Sequence, residues 1–287
     1  MKLQDEFREF LEATGLKQAH VARSIGVSAA VISTWLKESY SGDNSSIDKK
    51  LKSFMENYST KNKEKAKAKE VKKLYNLVRS HFVMDEAVIN SEMAAVYGKP
   101  GLGKTVAVKE WVKKHPEAIF IEVVPGIRVN SLLKTIAEKL GINPVNSAEE
   151  NIKAIAKEFK RRDSVLVIDE AEHLSVNGLE AIRRIWDFSK VPTILVGTYA
   201  LVKNLKGSKG ELLQLYSRIS GRWEFKELSD DDYEMLFDKL SSHIKKYTTH
   251  LRRAVTIYQK ALRFATMQDE KVSAKHIGMA ADMVFLD

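Results

Sequence analysis

The sequence contains no cysteine, so neither a disulfide framework nor a thiolate metal site is open to it. A reducing cytoplasm suits such a chain. Its seven histidines are scattered. No two share helical ligand spacing with a carboxylate partner, which argues against a zinc centre. No apolar run reaches the roughly 18 residues a membrane helix needs. The start, Met1-Lys2-Leu3-Gln4-Asp5-Glu6, mixes charges where an export signal has an apolar core. No membrane partner is expected.

What is present is 287 residues with 44% hydrophobic content, enough for two or three compact units with a sizeable core. Lys and Arg number 47 against 38 Asp and Glu, a formal net charge of +9. Such an excess favours a polyanionic partner, nucleic acid foremost. Simple solubility is the alternative reading.

Residues 1–58 read as a small all-α module. Apolar residues recur at Phe7, Phe10 and Leu11, at Val21 and Ile25, and at Val31, Ile32, Trp35 and Leu36. Ser41 to Asn44 is a loop by composition, and a short amphipathic stretch from Ile47 to Tyr58 closes the module. A Lys-rich linker over 59–73 follows. Its segment Lys61 to Lys73 holds seven Lys and two Glu and is either a mobile tether or an exposed helix.

From Met93, short apolar runs alternate with helical stretches. The runs are Met93–Tyr97, Ile119–Val124, Val165–Ile168 and Thr193–Val196. Between them lie Thr105–Lys114, Ser131–Leu140, Glu149–Arg161 and Gly178–Phe188. This is the pattern of a parallel sheet covered by helices on both faces. An α/β unit over 74–228 is therefore expected. After Leu228 only helices are expected: Asp230–His243, Leu251–Met267 and Ser273–Phe285, a helical C-terminal domain over 229–287. Ser229 followed by three aspartates is a good helix start.

Two segments carry chemistry. Gly98-Lys99-Pro100-Gly101-Leu102-Gly103-Lys104-Thr105 is a complete phosphate-binding loop between a predicted strand and a predicted helix, which Val106 continues. Glycines let backbone N–H groups wrap a polyphosphate. Lys104 meets the β and γ phosphates, and Thr105 offers a hydroxyl to Mg²⁺ at the helix N-terminus. ATP and Mg²⁺ are the implied cofactors. Val165-Leu166-Val167-Ile168-Asp169-Glu170 delivers two carboxylates at a strand's C-terminal edge, where α/β sheets place ligands. Asp169 would hold Mg²⁺ and Glu170 would polarise the attacking water. Thr198, after a later apolar run, either contacts the γ phosphate or the attacking water, or only caps a strand end.

These residues resemble the AAA+ ATPases. More narrowly, they are similar to the target-selection helper ATPases of transposons typified by phage Mu transposition protein B. The resemblance lies in Tyr97 to Thr105, Phe120 to Pro125, Ser131-Leu132-Leu133, Val167 to Leu174 and Ile194 to Thr198. It covers roughly Val71 to the C-terminus, with an N-terminal helical module in the same order. It implies a P-loop AAA+ sheet with a helical lid. It also implies an arginine donated to a neighbour's nucleotide just before the last core strand, with Arg218 and Arg222 as candidates. A further arginine is implied in the lid, where Arg252 fits, although Thr249 and His250 stand where many relatives have glycine.

Leu16 to Ser28 followed by Ala29 to Leu36 resembles a repressor-type helix-turn-helix. Gly26 would supply the left-handed turn residue and Ser28 the cap. Ser28, Ala29, Ala30, Ser33 and Thr34 would face a major groove, with Lys17, Gln18 and Lys37 toward phosphates. These short side chains lack the Arg or Asn of bidentate base reading, so little sequence preference is expected. A protein-interaction module is the alternative.

The leading reading is an ATP-dependent, largely sequence-neutral DNA-binding ATPase. It would assemble as an oligomer or helical filament on double-stranded DNA and deliver target DNA to a transposase, which it stimulates. The alternatives are an NTPase-switched transcription regulator and a helicase-loading replication ATPase.

Overall fold

The computed structural model describes residues 2–67, 71–207 and 212–286, without the side chains of 60–67. It divides into two compact units, Met1–Val71 and Lys72–Asp287.

Among the described residues the first unit contains four helices: α1 (Leu3–Thr14), α2 (Gln18–Ser24), α3 (Ala29–Leu36) and α4 (Asn44–Lys67). Phe7, Val21, Ala22, Ile32, Trp35, Leu36, Ile47 and Leu51 form its core. The small Ala22 lets α2 and α3 approach closely. Gly26 between them has φ +73°, and a Cβ there would meet nothing within 4 Å. Conformation, not space, therefore demands glycine at this turn. Ser28 Oγ accepts the Val31 N–H at 3.3 Å and caps α3. Trp35 Nε1 donates to Asp48 Oδ1 at 2.8 Å, joining α3 to α4. The helix expected over Ile47–Tyr58 starts earlier and runs on through Lys67. The stretch expected as a linker over 59–73 is thus helical as far as Lys67, and its residues 68–70 lie outside the described residues.

The second unit is built on a parallel sheet of β1 (Met93–Gly98), β2 (Ala118–Glu122), β3 (Val165–Asp169), β4 (Thr193–Gly197) and β5 (Ile219–Phe225), in the order β2-β3-β4-β1-β5. Its helices are α5 (Tyr75–Ile89), α6 (Lys104–Val112), α7 (Val129–Lys139), α8 (Ala148–Phe159), α9 (Val176–Ser189), α10 (Tyr199–Lys206), α11 (Leu213–Tyr216), α12 (Asp230–Phe237), α13 (Ser241–Lys245), α14 (Leu251–Met267) and α15 (Ala274–Ala281). Alternate strand residues serve opposite faces. Leu166, Ile168 and Leu195 join the core that holds Leu132, Ile136, Ile155 and Ile182. Val165, Val167, Ile194 and Val196 join the core that holds Met84, Val108 and Trp111. Burial on both faces explains why β3 and β4 read as unbroken apolar runs.

The lid has its own core of Tyr233, Phe237, Ile244, Ala254, Ile257, Ala261 and Ile277. A Ser229–Asp232 capping box opens α12. The single helix expected over Asp230–His243 is broken instead. Asp238 has φ +48° and a 3₁₀ turn, Asp238–Leu240, separates α12 from α13. The last expected helix, Ser273–Phe285, ends at Ala281. Before the sheet, the Tyr75 N–H donates to Asp232 Oδ1 at 2.9 Å. Buried Asn76 bonds both the N–H and the carbonyl of Lys226. The start of α5 is thereby fixed to the connection between sheet and lid.

Candidate active site

β1 lies between β4 and β5 and ends at Gly98, where the loop to α6 begins. Gly101 (φ +77°) and Gly103 (φ +93°) take left-handed conformations. A Cβ at Gly101 would also stand 1.8 Å from His250 Cε1, so the ring would have to move. Lys104, the first residue of α6, is buried, and its ammonium donates to the carbonyls of Gly98 and Lys99, each at 2.9 Å. Burial pushes its pKa down, opposed by the carboxylates of Glu172, Glu170 and Asp169 in that order. Of the remaining loop residues, Leu102 is buried, Pro100 is exposed, and Lys99 is ion-paired with Glu227 at 2.7 Å. Val106 is about half exposed on α6.

β3 places Asp169 beside this loop. The Thr105 hydroxyl stands near its carboxylate, and the Glu170 N–H donates to Oδ1 at 2.9 Å. Asp169 is buried, and its Oδ2 has no partner among the described residues. Burial pushes the Asp169 pKa up, while the nearby Thr105 hydroxyl and the bond from the Glu170 amide hold it down. An orphaned buried carboxylate oxygen beside a hydroxyl is a hard-oxygen donor set of the kind Mg²⁺ takes. Glu170 sits at φ +56°, a strained conformation for a non-glycine residue, with its side chain partly exposed. Burial, then the charges of Glu172 and Asp169, push its pKa up. That suits a proton acceptor.

Thr198 stands at the end of β4. Its Oγ1 accepts the Ala200 N–H at 3.3 Å and so caps α10, while its own N–H donates to Glu172 Oε1 at 3.0 Å. On the lid side, the Arg252 N–H donates to the Gly101 carbonyl at 3.1 Å. The His250 ring lies against Gly101, and burial pushes its pKa down. The lid helix thus begins against the phosphate loop, and the Arg252 side chain is exposed there. Arg218 lies immediately before β5. Its Nε is 3.4 Å from Asp187 Oδ1, and its guanidinium lies 5.8 Å from the Trp186 ring centre. Arg222 is exposed within β5 rather than before it.

Sequence reasoning passed over three contributors. Glu172 bonds a residue 26 positions away, a pairing that exists only once β3 and β4 are adjacent. His250 covers Gly101 where a glycine was looked for. Glu122 lies opposite Asp169 in the β2–β3 register and pairs with Lys109 on α6 at 2.8 Å.

In the first unit, Lys17, Gln18, Ser28, Ala29, Ala30 and Lys37 are exposed. Ser33 and Thr34 are half-buried, and the Thr34 hydroxyl bonds the Ala30 and Val31 carbonyls. Among the described residues, no helix is long and apolar enough to cross a membrane.

The sheet order, the phosphate loop and the helical lid define a P-loop unit of the AAA type. A family model described as an AAA domain matches residues 90–205, which span β1 to α10. The whole chain resembles the phage Mu type of transposition protein B. It is 25% identical to the "ATP-dependent target DNA activator B" of Escherichia phage Mu, covering 96% of this chain and 92% of that one. It is 24% identical to the "Mu-like prophage FluMu DNA transposition protein B" of Haemophilus influenzae, over 93% and 94% of the two chains. Among solved structures, the Aeropyrum pernix ORC2 protein in its ADPNP–ADP complexes shares the fold. Its TM-score is 0.56 at 16% identity, covering 71% of this chain and 66% of that one.

Proposed function

We propose that this chain is an ATP-hydrolysing, DNA-binding ATPase that assembles on double-stranded DNA and delivers target DNA to a transposase. One observation carries the catalytic half: Lys104, Thr105, Asp169 and Glu170 converge at the C-terminal edge of the sheet, with Asp169 Oδ2 buried and unpartnered. The transposition half is supported by similarity across nearly the full length of two relatives whose names describe that role.

The chemistry follows from the residues. Amides of the Gly98–Lys104 loop and the N-terminus of α6 would bind the phosphates. Lys104 would leave the Gly98 and Lys99 carbonyls for phosphate oxygens, exchanging neutral acceptors for charged ones. Thr105 and Asp169 would hold Mg²⁺, which when bound neutralises charge on the phosphate oxygens. Glu170 would orient the attacking water and take its proton. Arg218 of one copy would reach a neighbour's nucleotide, making hydrolysis depend on assembly. Arg252 would sense the nucleotide from the lid. The first unit would contact DNA with little sequence preference, through Lys17, Gln18, Lys37 and the exposed start of α3.

The test is ATP turnover per subunit at rising protein concentration, with and without duplex DNA, followed by strand transfer with a transposase encoded beside this gene. Turnover should rise with both variables, and strand transfer should be stimulated only with ATP. Lys104→Ala should abolish the stimulation. A footprint confined to one sequence in excess competitor DNA would favour a transcription regulator instead.

A further inference from the structure

Glu172 belongs to the 3₁₀ turn Ala171–His173 that directly follows Glu170. Its Oε1 accepts the Thr198 N–H at 3.0 Å, and its backbone carbonyl accepts Asn204 Nδ2 at 2.9 Å. Its Oε2 is buried with no partner among the described residues. Gly197 makes room for it, because a Cβ on Gly197 would stand 2.4 Å from Oε2. Around Lys104, Glu172 exerts the strongest pull of the three carboxylates, ahead of Glu170 and Asp169. A buried, half-partnered carboxylate is costly, and this one lies between the turn bearing the proposed base and the strand end bearing Thr198.

The Thr198 N–H has no share in the sheet ladder, whose pairing of β1 with β4 ends at Gly197. As the residue before α10, Thr198 has no helical acceptor for its N–H either. Glu172 is therefore what holds that amide, and a carboxylate acceptor makes the bond a charge-assisted one.

We infer that Glu172 is a positioning residue of the ATPase site: its Oε1 clamps the end of β4 to the turn that carries Glu170, so that Thr198 and Glu170 face the γ phosphate in a fixed relation. The inference rests on the ATPase reading above. Misplacement of a reacting or orienting group by about an ångström costs about 100-fold in rate, so the clamp acts on turnover rather than on nucleotide affinity. Glutamine at 172 keeps an oxygen that can accept the same N–H; alanine does not.

The experiment compares the full-length protein with its Glu172→Ala and Glu172→Gln variants in three measurements. These are amide exchange at Thr198 without nucleotide, affinity for a non-hydrolysable ATP analogue, and ATP turnover. In Glu172→Ala, Thr198 exchange should quicken at least about 10-fold and turnover should fall about 10- to 100-fold. Analogue affinity should stay within about twofold of the parent, since the phosphate loop is untouched. Glu172→Gln should keep Thr198 protected and retain most of the turnover. The inference is overturned if Glu172→Ala leaves Thr198 exchange and turnover unchanged. It is also overturned if Glu172→Gln loses as much as Glu172→Ala, or if the loss lies in analogue affinity. A parent protein that does not hydrolyse ATP overturns the ATPase reading with it, whereas Thr198 exchange reports on the clamp alone.

Discussion

The phosphate end of the second unit and the exposed side of α2 and α3 in the first unit treat polar groups in opposite ways. At the phosphate end, Lys104 and Asp169 are buried, and the Asp169 and Glu172 carboxylates each keep an oxygen without a partner among the described residues. Glu170 is held in a left-handed conformation. In the first unit, Ser28 and Thr34 spend their oxygens on their own helix, and the residues facing outward are short or flexible. Polar groups buried and left short of partners lose stability unless a ligand completes them. Contacts to a uniform polyanion, as proposed for this surface, need no such investment, because phosphate contacts gain from counterion release and tolerate loose geometry. Substitutions at the first surface should therefore act steeply and on chemistry, and those at the second gently and on salt dependence.

The largest effect is expected from the arginine before β5. Arg218 is held by Asp187 and Trp186 at the sheet's β5 side, and an arginine supplied to a neighbour's transferring phosphate is worth about 10³-fold or more in rate. Arg218→Ala should remove the rise of per-subunit turnover with concentration and DNA while leaving ATP binding intact. Arg222→Ala should do much less. Mixing Arg218→Ala with Lys104→Ala subunits should restore activity at shared interfaces. If turnover of the parent is flat with concentration, no neighbour takes part.

Next comes Glu170→Gln, which keeps the shape and loses the proton acceptor. Turnover should fall about 10²- to 10⁴-fold with ATP still bound, and DNA-bound assemblies should last longer. Single-turnover kinetics beside filter binding separate the two. Hydrolysis at the parent rate would show that the strained Glu170 is not the base.

Much of this phosphate end was legible in the sequence because its chemistry is local. The loop from Gly98 to Thr105 is continuous in the chain, and Asp169-Glu170 ends an apolar strand whose period and length are plain. The sheet was legible for the same reason, since β3 and β4 are buried on both faces and so uniformly apolar. β5 has an alternating, half-exposed pattern at the sheet's edge, which hid its full extent and the placement of Arg222 inside it. Glu172 and His250 were illegible as site residues, because each acquires its meaning from a partner that only the folded sheet or lid brings near. The break at Asp238 turns on a positive φ that aspartate adopts without any glycine to announce it.

A milder effect is expected at the first unit. Each lysine withdrawn from a phosphate lowers the slope of log affinity against log salt by about 0.9. Lys17→Ala combined with Lys37→Ala should thus flatten that slope by roughly 2 and weaken binding to all duplexes alike. Fluorescence anisotropy over a salt series measures both. A loss confined to one sequence would mean that α3 reads bases, and an unchanged slope would mean that this surface faces something other than DNA.

The smallest effect concerns acidity. Glu170 must be ionised to accept a proton, so turnover should persist above its pKa and fall as pH drops through it. Burial, with Glu172 and Asp169 adding like charge, raises that pKa above the ordinary glutamate range, while His173 and Lys104 oppose them. The acid limb of turnover should therefore begin at a higher pH than for an ordinary glutamate. Glu172→Gln removes one of the two raising charges and keeps the clamp on Thr198. Its limb should move toward acid, with turnover near neutrality little changed. Single-turnover rates over a pH series, taken with nucleotide saturating, isolate this shift from binding. If the limb stays where it was, the group that titrates is not Glu170, and the base must be sought elsewhere in the site. If the limb moves but neutral turnover also collapses, the Glu172 charge acts on more than the base, and the neutral clamp is insufficient.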